Sequence, residues 1–127
     1  MDYPHLVKPF QERVGSLMYA TTSTRCDIAY PVHQLCKCLA KPTPELMEEA
    51  DRIIAYLARH RSVGITFDPG QTDLHAFSDA SWEVRNSTSG WVVMWGNAAL
   101  SWGSRKQKCV ALSSCEAELI ALSEATK

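Results

Sequence analysis

His75-Ala-Phe-Ser-Asp-Ala-Ser-Trp82 and Ala111-Leu-Ser-Ser-Cys-Glu-Ala-Glu-Leu-Ile-Ala-Leu122 decide the architecture of the second half of the chain. The first stretch, taken from Asp73, has a period of two, with Leu74 and Ala76 on one face and His75, Phe77 and Asp79 on the other, as in a strand. The second holds the capping-box pattern S-x-x-E at Ser113 and Glu116, which starts a helix running toward the C-terminus. Between them, Trp91 to Trp95 is a near-continuous apolar strand, Gly96-Asn97 a hairpin turn, and Ala98 to Trp102 the partner strand. The order predicted is three main strands followed by one helix.

Upstream the period changes to that of a helix. Phe10, Val14, Leu17 and Met18 form one apolar stripe, and Ile28, Val32, Leu35 and Leu39 form another after Asp27, read as an N-cap, with Pro31 tolerated in the first turn. A third helix opens with Thr43 as N-cap and Pro44 at N1, burying Leu46, Ala50, Ile53, Ile54 and Leu57. Gly64 to Phe67 reads as a short strand and Asp68-Pro-Gly70 as a turn. The predicted organisation is α+β: a helical segment over 1–61, a linker and turn over 62–70, and a β-β-β-α unit over 71–127.

With 46% hydrophobic residues in 127, the chain can bury a modest core, and it carries no low-complexity tract or internal repeat. Thirteen basic and fourteen acidic residues leave a formal charge of −1, so a nucleic-acid surface has to be local. Arg105, Lys106 and Lys108, flanked by Trp102, are the local basic patch; a solvated loop is the plain alternative. No apolar run is long enough to cross a bilayer. Five cysteines, with no basic and apolar leader at Met1-Asp-Tyr-Pro-His, favour an intracellular, reducing compartment. His33, Cys36 and Cys38 do not make a zinc site, because Cys36 and Cys38 point about 200° apart on a helix. Cys109 and Cys115 read as small packing residues, His75 as a packing histidine, and Trp91, Trp95 and Trp102 as core.

Glu116 and Glu118 lie in one motif and are separated by helix geometry. They point about 200° apart. Glu116 serves the cap, with Ser123 and Glu124 on its side. The face centred on Glu118 carries Ser114, Cys115, Ala121, Leu122 and Ala125, small or apolar residues suited to packing on a sheet. A carboxylate there is costly unless something offsets its charge, and a metal ion is one way. Asp79 before Ala-Ser also suits the end of a strand.

These segments, with Ser87-Thr-Ser-Gly-Trp91 and Leu100-Ser-Trp-Gly-Ser-Arg-Lys-Gln107 between them, resemble the ribonuclease H domain in the polyprotein of copia-type LTR retrotransposons. Val14-Gly-Ser-Leu-Met-Tyr19, Thr24-Arg-Cys-Asp-Ile-Ala-Tyr30 and Ala55-Tyr-Leu57 resemble the helical end of the reverse transcriptase that precedes it. Two departures stand out: Cys26 sits where proline is usual, and the Glu83-Val-Arg-Asn86 connection is short. The resemblance implies a truncated ribonuclease H-like fold, with Asp79 and Glu118 as catalytic, metal-binding carboxylates. It also implies a pair of Mg²⁺ ions, an RNA–DNA hybrid as substrate and the rest of the polyprotein as partner. The family's further carboxylates follow this helix, so the expectation for the chain alone is an inactive half-site. The rival readings are a non-catalytic remnant or domesticated binding module, and a self-associating scaffold that pairs through an exposed sheet edge.

Overall fold

The computed structural model describes residues 2–83 and 87–126. Two compact units make up the chain, one ending at Gly64 and one beginning at Ile65. The protein is α+β, with four α-helices and one three-stranded antiparallel sheet among the described residues.

The first unit consists of α1 (Pro4–Ser23), a 3₁₀ turn (Cys26–Ile28), α2 (Ala29–Cys36) and α3 (Pro44–Arg59). Phe10, Val14 and Leu17 meet Ile28, Val32, Leu35 and Ala50 in its core, with Leu39, Leu46, Ile53 and Leu57 packed around them. Two predicted core residues are not in it: Met18 is 37% exposed and Ile54 41%. On α1 the stripe continues from Leu17 to Thr21, which is buried and donates its hydroxyl to the Arg25 carbonyl at 3.2 Å. Met18 lies about 100° around the helix from Leu17, outside that stripe. Thr43 caps α3 as expected, its Oγ1 accepting the Leu46 N–H at 3.4 Å, with Pro44 in the first turn.

Asp27 does not cap α2, which follows the 3₁₀ turn with no side-chain cap. Its carboxylate instead accepts from Arg25 Nε at 3.0 Å, Arg25 Nη2 at 2.7 Å and the Tyr56 hydroxyl at 2.8 Å. Arg25, buried, donates its remaining Nη1 to the carbonyl of His60, the C-cap of α3, at 3.0 Å. A cation at a helix C-terminus satisfies the open carbonyls and complements the dipole. One guanidinium therefore joins the α1–α2 junction to the end of α3.

Residues 64–67, at the junction of the two units, form no strand, contrary to expectation. An isolated strand leaves its backbone groups unpaired, and Phe67 is exposed. The Asp68-Pro-Gly70 turn is present: Asp68 accepts the Gly70 N–H on Oδ1 at 2.9 Å and the Gln71 N–H on its carbonyl at 3.1 Å. The sheet is a meander of β1 (Leu74–Ser81), β2 (Thr88–Trp95) and β3 (Ala98–Lys106), in that order. Gly96 has φ +56° in the two-residue loop joining Trp95 to Ala98, while Asn97 does not take positive φ, the sign pattern of a II′ turn. A Cβ at Gly96 would also come within 2.7 Å of Gln71.

Strands β2 and β3 run further than their apolar stretches. Thr88-Ser-Gly90 and Gly103-Ser-Arg-Lys106 are polar, yet the backbone ladder continues through them. The β3 strand carries a bulge, since Ala99 pairs with Met94 and Ser101 with Val93, leaving Leu100 as the extra residue. Helix α4 (Ser114–Ala125) packs against β1 and β2. Ser113 caps it, its Oγ accepting the Glu116 N–H at 3.2 Å, while the Glu116 carboxylate reaches back one residue past the N-cap to accept the Leu112 N–H at 2.7 Å.

Candidate functional site

Gln107 fixes which face of the sheet lies under α4. Its Nε2 donates to Ser89 Oγ at 3.0 Å and to the Ala117 carbonyl at 2.9 Å, and its backbone N–H to the Ser87 carbonyl at 2.8 Å. Ser89 therefore points toward α4, as do its register partners Ala80 and Arg105 and the next row, Ser78, Trp91 and Gly103. The intervening rows belong to the other face: Asp79, Gly90 and Ser104, then Ser81, Thr88 and Lys106. Along β1 only Ser78 and Ala80 are half-buried, as this assignment requires.

The buried stripe of α4 is Ala117 and Ala121, with Ile120 and Glu124 half-buried. Ser114, Cys115, Glu118 and Leu122 are exposed, so the packing face expected around Glu118 is turned by about one residue, 100°. Alanines at 117 and 121 allow close approach to the sheet. Glu124, expected on the outer side, instead reaches Arg105 at 3.7 Å. In water, the Glu118 carboxylate escapes the desolvation cost that a buried position would carry.

Asp79 is exposed on the bare face of edge strand β1, and Glu118 is exposed near the start of α4, which lies against the opposite face. An ion touching both carboxylates would have to sit at the edge of β1. Among the described residues, no three of His, Cys, Asp and Glu converge as metal ligands. A pair of Mg²⁺ ions about 3.5–4 Å apart needs more oxygen ligands than two carboxylates supply. The residues present do not fit that pair of ions.

Arg105 and Lys106 sit on β3 rather than in a loop, and they point to opposite faces. Arg105 lies 5.4 Å over the Trp91 ring, beside Glu124. Lys106 shares the bare face with Asp79, and exposed Lys108 follows Gln107. Trp91 and Trp102 are half-buried, but Trp95 is 46% exposed, and Cys109, Cys115 and His75 are exposed rather than packed. The polar knot of Ser87, Ser89 and Gln107, all buried, went unforeseen. A glutamine between two lysines carries no periodic signal. No protein donor among the described residues reaches Gln107 Oε1.

The comparisons with known proteins agree over most of the chain. It is 44% identical over 110 residues to the retrovirus-related Pol polyprotein from transposon RE1 of Arabidopsis thaliana, covering 83% of this chain and 7% of that protein. It is 37% identical over 123 residues to the Pol polyprotein from transposon TNT 1-94 of Nicotiana tabacum, covering 94% of this chain and 9% of that protein. The chain belongs to the copia-type retrotransposon Pol family. A further relative, a secreted RxLR effector protein 161 of Plasmopara viticola, is 39% identical over 124 residues, covering 94% of this chain and 87% of that protein. The chain thus spans under a tenth of the Pol polyproteins and most of the effector. No family model matches it, and no solved structure does.

Proposed function

We propose that this chain is the segment of a copia-type Pol polyprotein that joins the last helices of the reverse transcriptase to the first half of a ribonuclease H-like domain. The parent activity is Mg²⁺-dependent hydrolysis of RNA in RNA–DNA hybrids. The supporting observation is the β-β-β-α order with Asp79 on β1 and Glu118 on the helix packed against it, in a chain whose Pol relatives match over most of its length. With two exposed carboxylates and no third ligand among the described residues, the chain alone binds hybrid without cutting it.

The near full-length match to the effector favours a second reading, a non-catalytic module that binds nucleic acid or protein. One assay addresses both. Purified protein is incubated with a labelled RNA–DNA hybrid and Mg²⁺ or Mn²⁺, and both cleavage and gel retardation are followed. Retardation without cleavage is expected, weakening steeply with salt and reduced severalfold in Lys106→Glu/Lys108→Glu. Cleavage lost in both Asp79→Asn and Glu118→Gln would overturn the claim of inactivity while confirming the two residues. Absence of retardation at low salt would remove nucleic acid as the partner.

A further inference from the structure

Helix α4 turns Ala117 and Ala121 to the sheet, although Leu119 and Leu122 carry more apolar surface. Burial of apolar area, which grows with side-chain size, does not select that rotation. Two polar contacts fix it. Gln107 Nε2 donates to the Ala117 carbonyl at 2.9 Å, and Arg105 reaches Glu124 at 3.7 Å. The two points lie two turns apart on one face, about 10 Å along the helix. They are unequal: the Arg105 side chain is 69% exposed, where an ion pair contributes little, whereas Gln107 and Ala117 are both buried.

The Gln107 amide has one orientation open to it. Turned over, it would set Oε1 against the Ala117 carbonyl, two acceptors face to face; as it stands, Nε2 serves that carbonyl and Ser89 Oγ at 3.0 Å. The same orientation leaves Oε1 without a protein donor among the described residues, a cost the two Nε2 bonds outweigh. The helix does not need the bond for its own ladder, because the Ala117 carbonyl has the Ala121 N–H as its regular partner. Its effect is on where the helix points. The Ala117 carbonyl and the Glu118 N–H belong to one planar peptide group, so the group that Gln107 holds is rigidly joined to the Glu118 backbone. We propose that Gln107 is the positioning residue of Glu118: it fixes the rotation of α4 over β2, and with it the direction in which the Glu118 carboxylate leaves the helix. This deepens the ribonuclease H reading and rests on it for the role of that carboxylate.

Residual dipolar couplings of the ¹⁵N-labelled full chain test it, since they report the orientation of α4 against the sheet rather than stability. Gln107→Met keeps the volume of the side chain and removes its donors. The couplings over 114–125 are expected to depart from the wild-type set while those of β1, β2 and β3 hold. Amide exchange in the first turns of α4 should quicken about tenfold, as suits the loss of one buried hydrogen bond. Arg105→Gln removes the weaker point and should leave both readouts as in the wild type. Gln107→Glu adds a rescue. Its carboxylate cannot donate at neutral pH, whereas burial favours protonation above the usual value of about 4.3, and the acid form offers one O–H. The α4 couplings of this variant should return toward the wild-type set as the pH falls from about 7 to about 5. Wild-type couplings in Gln107→Met would overturn the proposal. So would an equal displacement in Arg105→Gln, or a Gln107→Glu variant that acid does not restore. Neither readout involves a hybrid, so a failure of gel retardation counts against the ribonuclease H reading and not against the Gln107 contact.

Discussion

Replacing Arg25 by methionine is expected to destabilise the helical unit by about 2–3 kcal/mol, somewhat under the range for a fully enclosed ion pair because Asp27 keeps some contact with water. The substitution keeps the aliphatic stem of the side chain but removes the guanidinium, leaving the Asp27 carboxylate with the Tyr56 hydroxyl as its side-chain donor and the His60 carbonyl without the donor from Arg25. Every tryptophan, 82, 91, 95 and 102, belongs to the second unit, so two signals separate the effect. Helical circular dichroism should lose its midpoint in urea, while the tryptophan fluorescence transition stays in place. Simultaneous shifts of both signals would contradict the confinement of Arg25 to the first unit.

The same pair sets an acid limit. Hydrogen bonds from Arg25, aided by Tyr56 and opposed by desolvation, hold the Asp27 carboxyl below its usual range. A depressed folded value means that the contribution is complete above the unfolded value, about 3.9, and is lost as pH falls through the folded one. Below about pH 4 the wild-type helical unit should lose stability with a slope that Asp27→Asn lacks.

In the second unit, Gly103→Ala is expected to cost about 2–3 kcal/mol by overpacking. Trp91 lies directly opposite Gly103, and a Cβ there would overlap the indole ring. The ring is held over the sheet with Arg105 against its face, so moving it disturbs the Arg105–Glu124 contact to α4 as well. Gly90→Ala is the control. It sits in the neighbouring row, where a Cβ meets nothing nearer than the Asp79 carbonyl at 4.0 Å. Chemical denaturation followed by tryptophan fluorescence should show a large loss for the first variant and a change within about 0.5 kcal/mol for the second. Equal losses would place the strain elsewhere than at Trp91.

Legibility in the sequence tracked the reach of the interactions. The stripes of Phe10, Val14 and Leu17 or of Ile28, Val32 and Leu35 repeat within a few residues, so periodicity found them. The caps at Thr43 and Ser113 were equally local. Asp27 was misassigned because Tyr56, its second partner, is 29 residues away. The packing face of α4, expected around Glu118, is displaced for another reason: Ala117, Leu119, Ile120, Ala121 and Leu122 put apolar residues around most of its circumference. Its orientation follows from Gln107 and from Arg105 with Glu124, contacts that no period reveals. The Asp79 and Glu118 motifs were visible as residue types, but their places on opposite sides of the β1 layer depend on that same rotation.

The Arg25 bond to the His60 carbonyl spans 35 positions in sequence and makes the first unit a closed loop of helices. Closing a loop that long costs entropy once, and lengthening it adds little, because the cost grows only with the logarithm of length. The turn between α2 and α3, over 37–43, can therefore lengthen at small cost, as the clasp lies at the far ends of the loop. Cutting that turn would leave Arg25 and Asp27 on one fragment and Tyr56 and His60 on the other, two half-clasps that fit only each other.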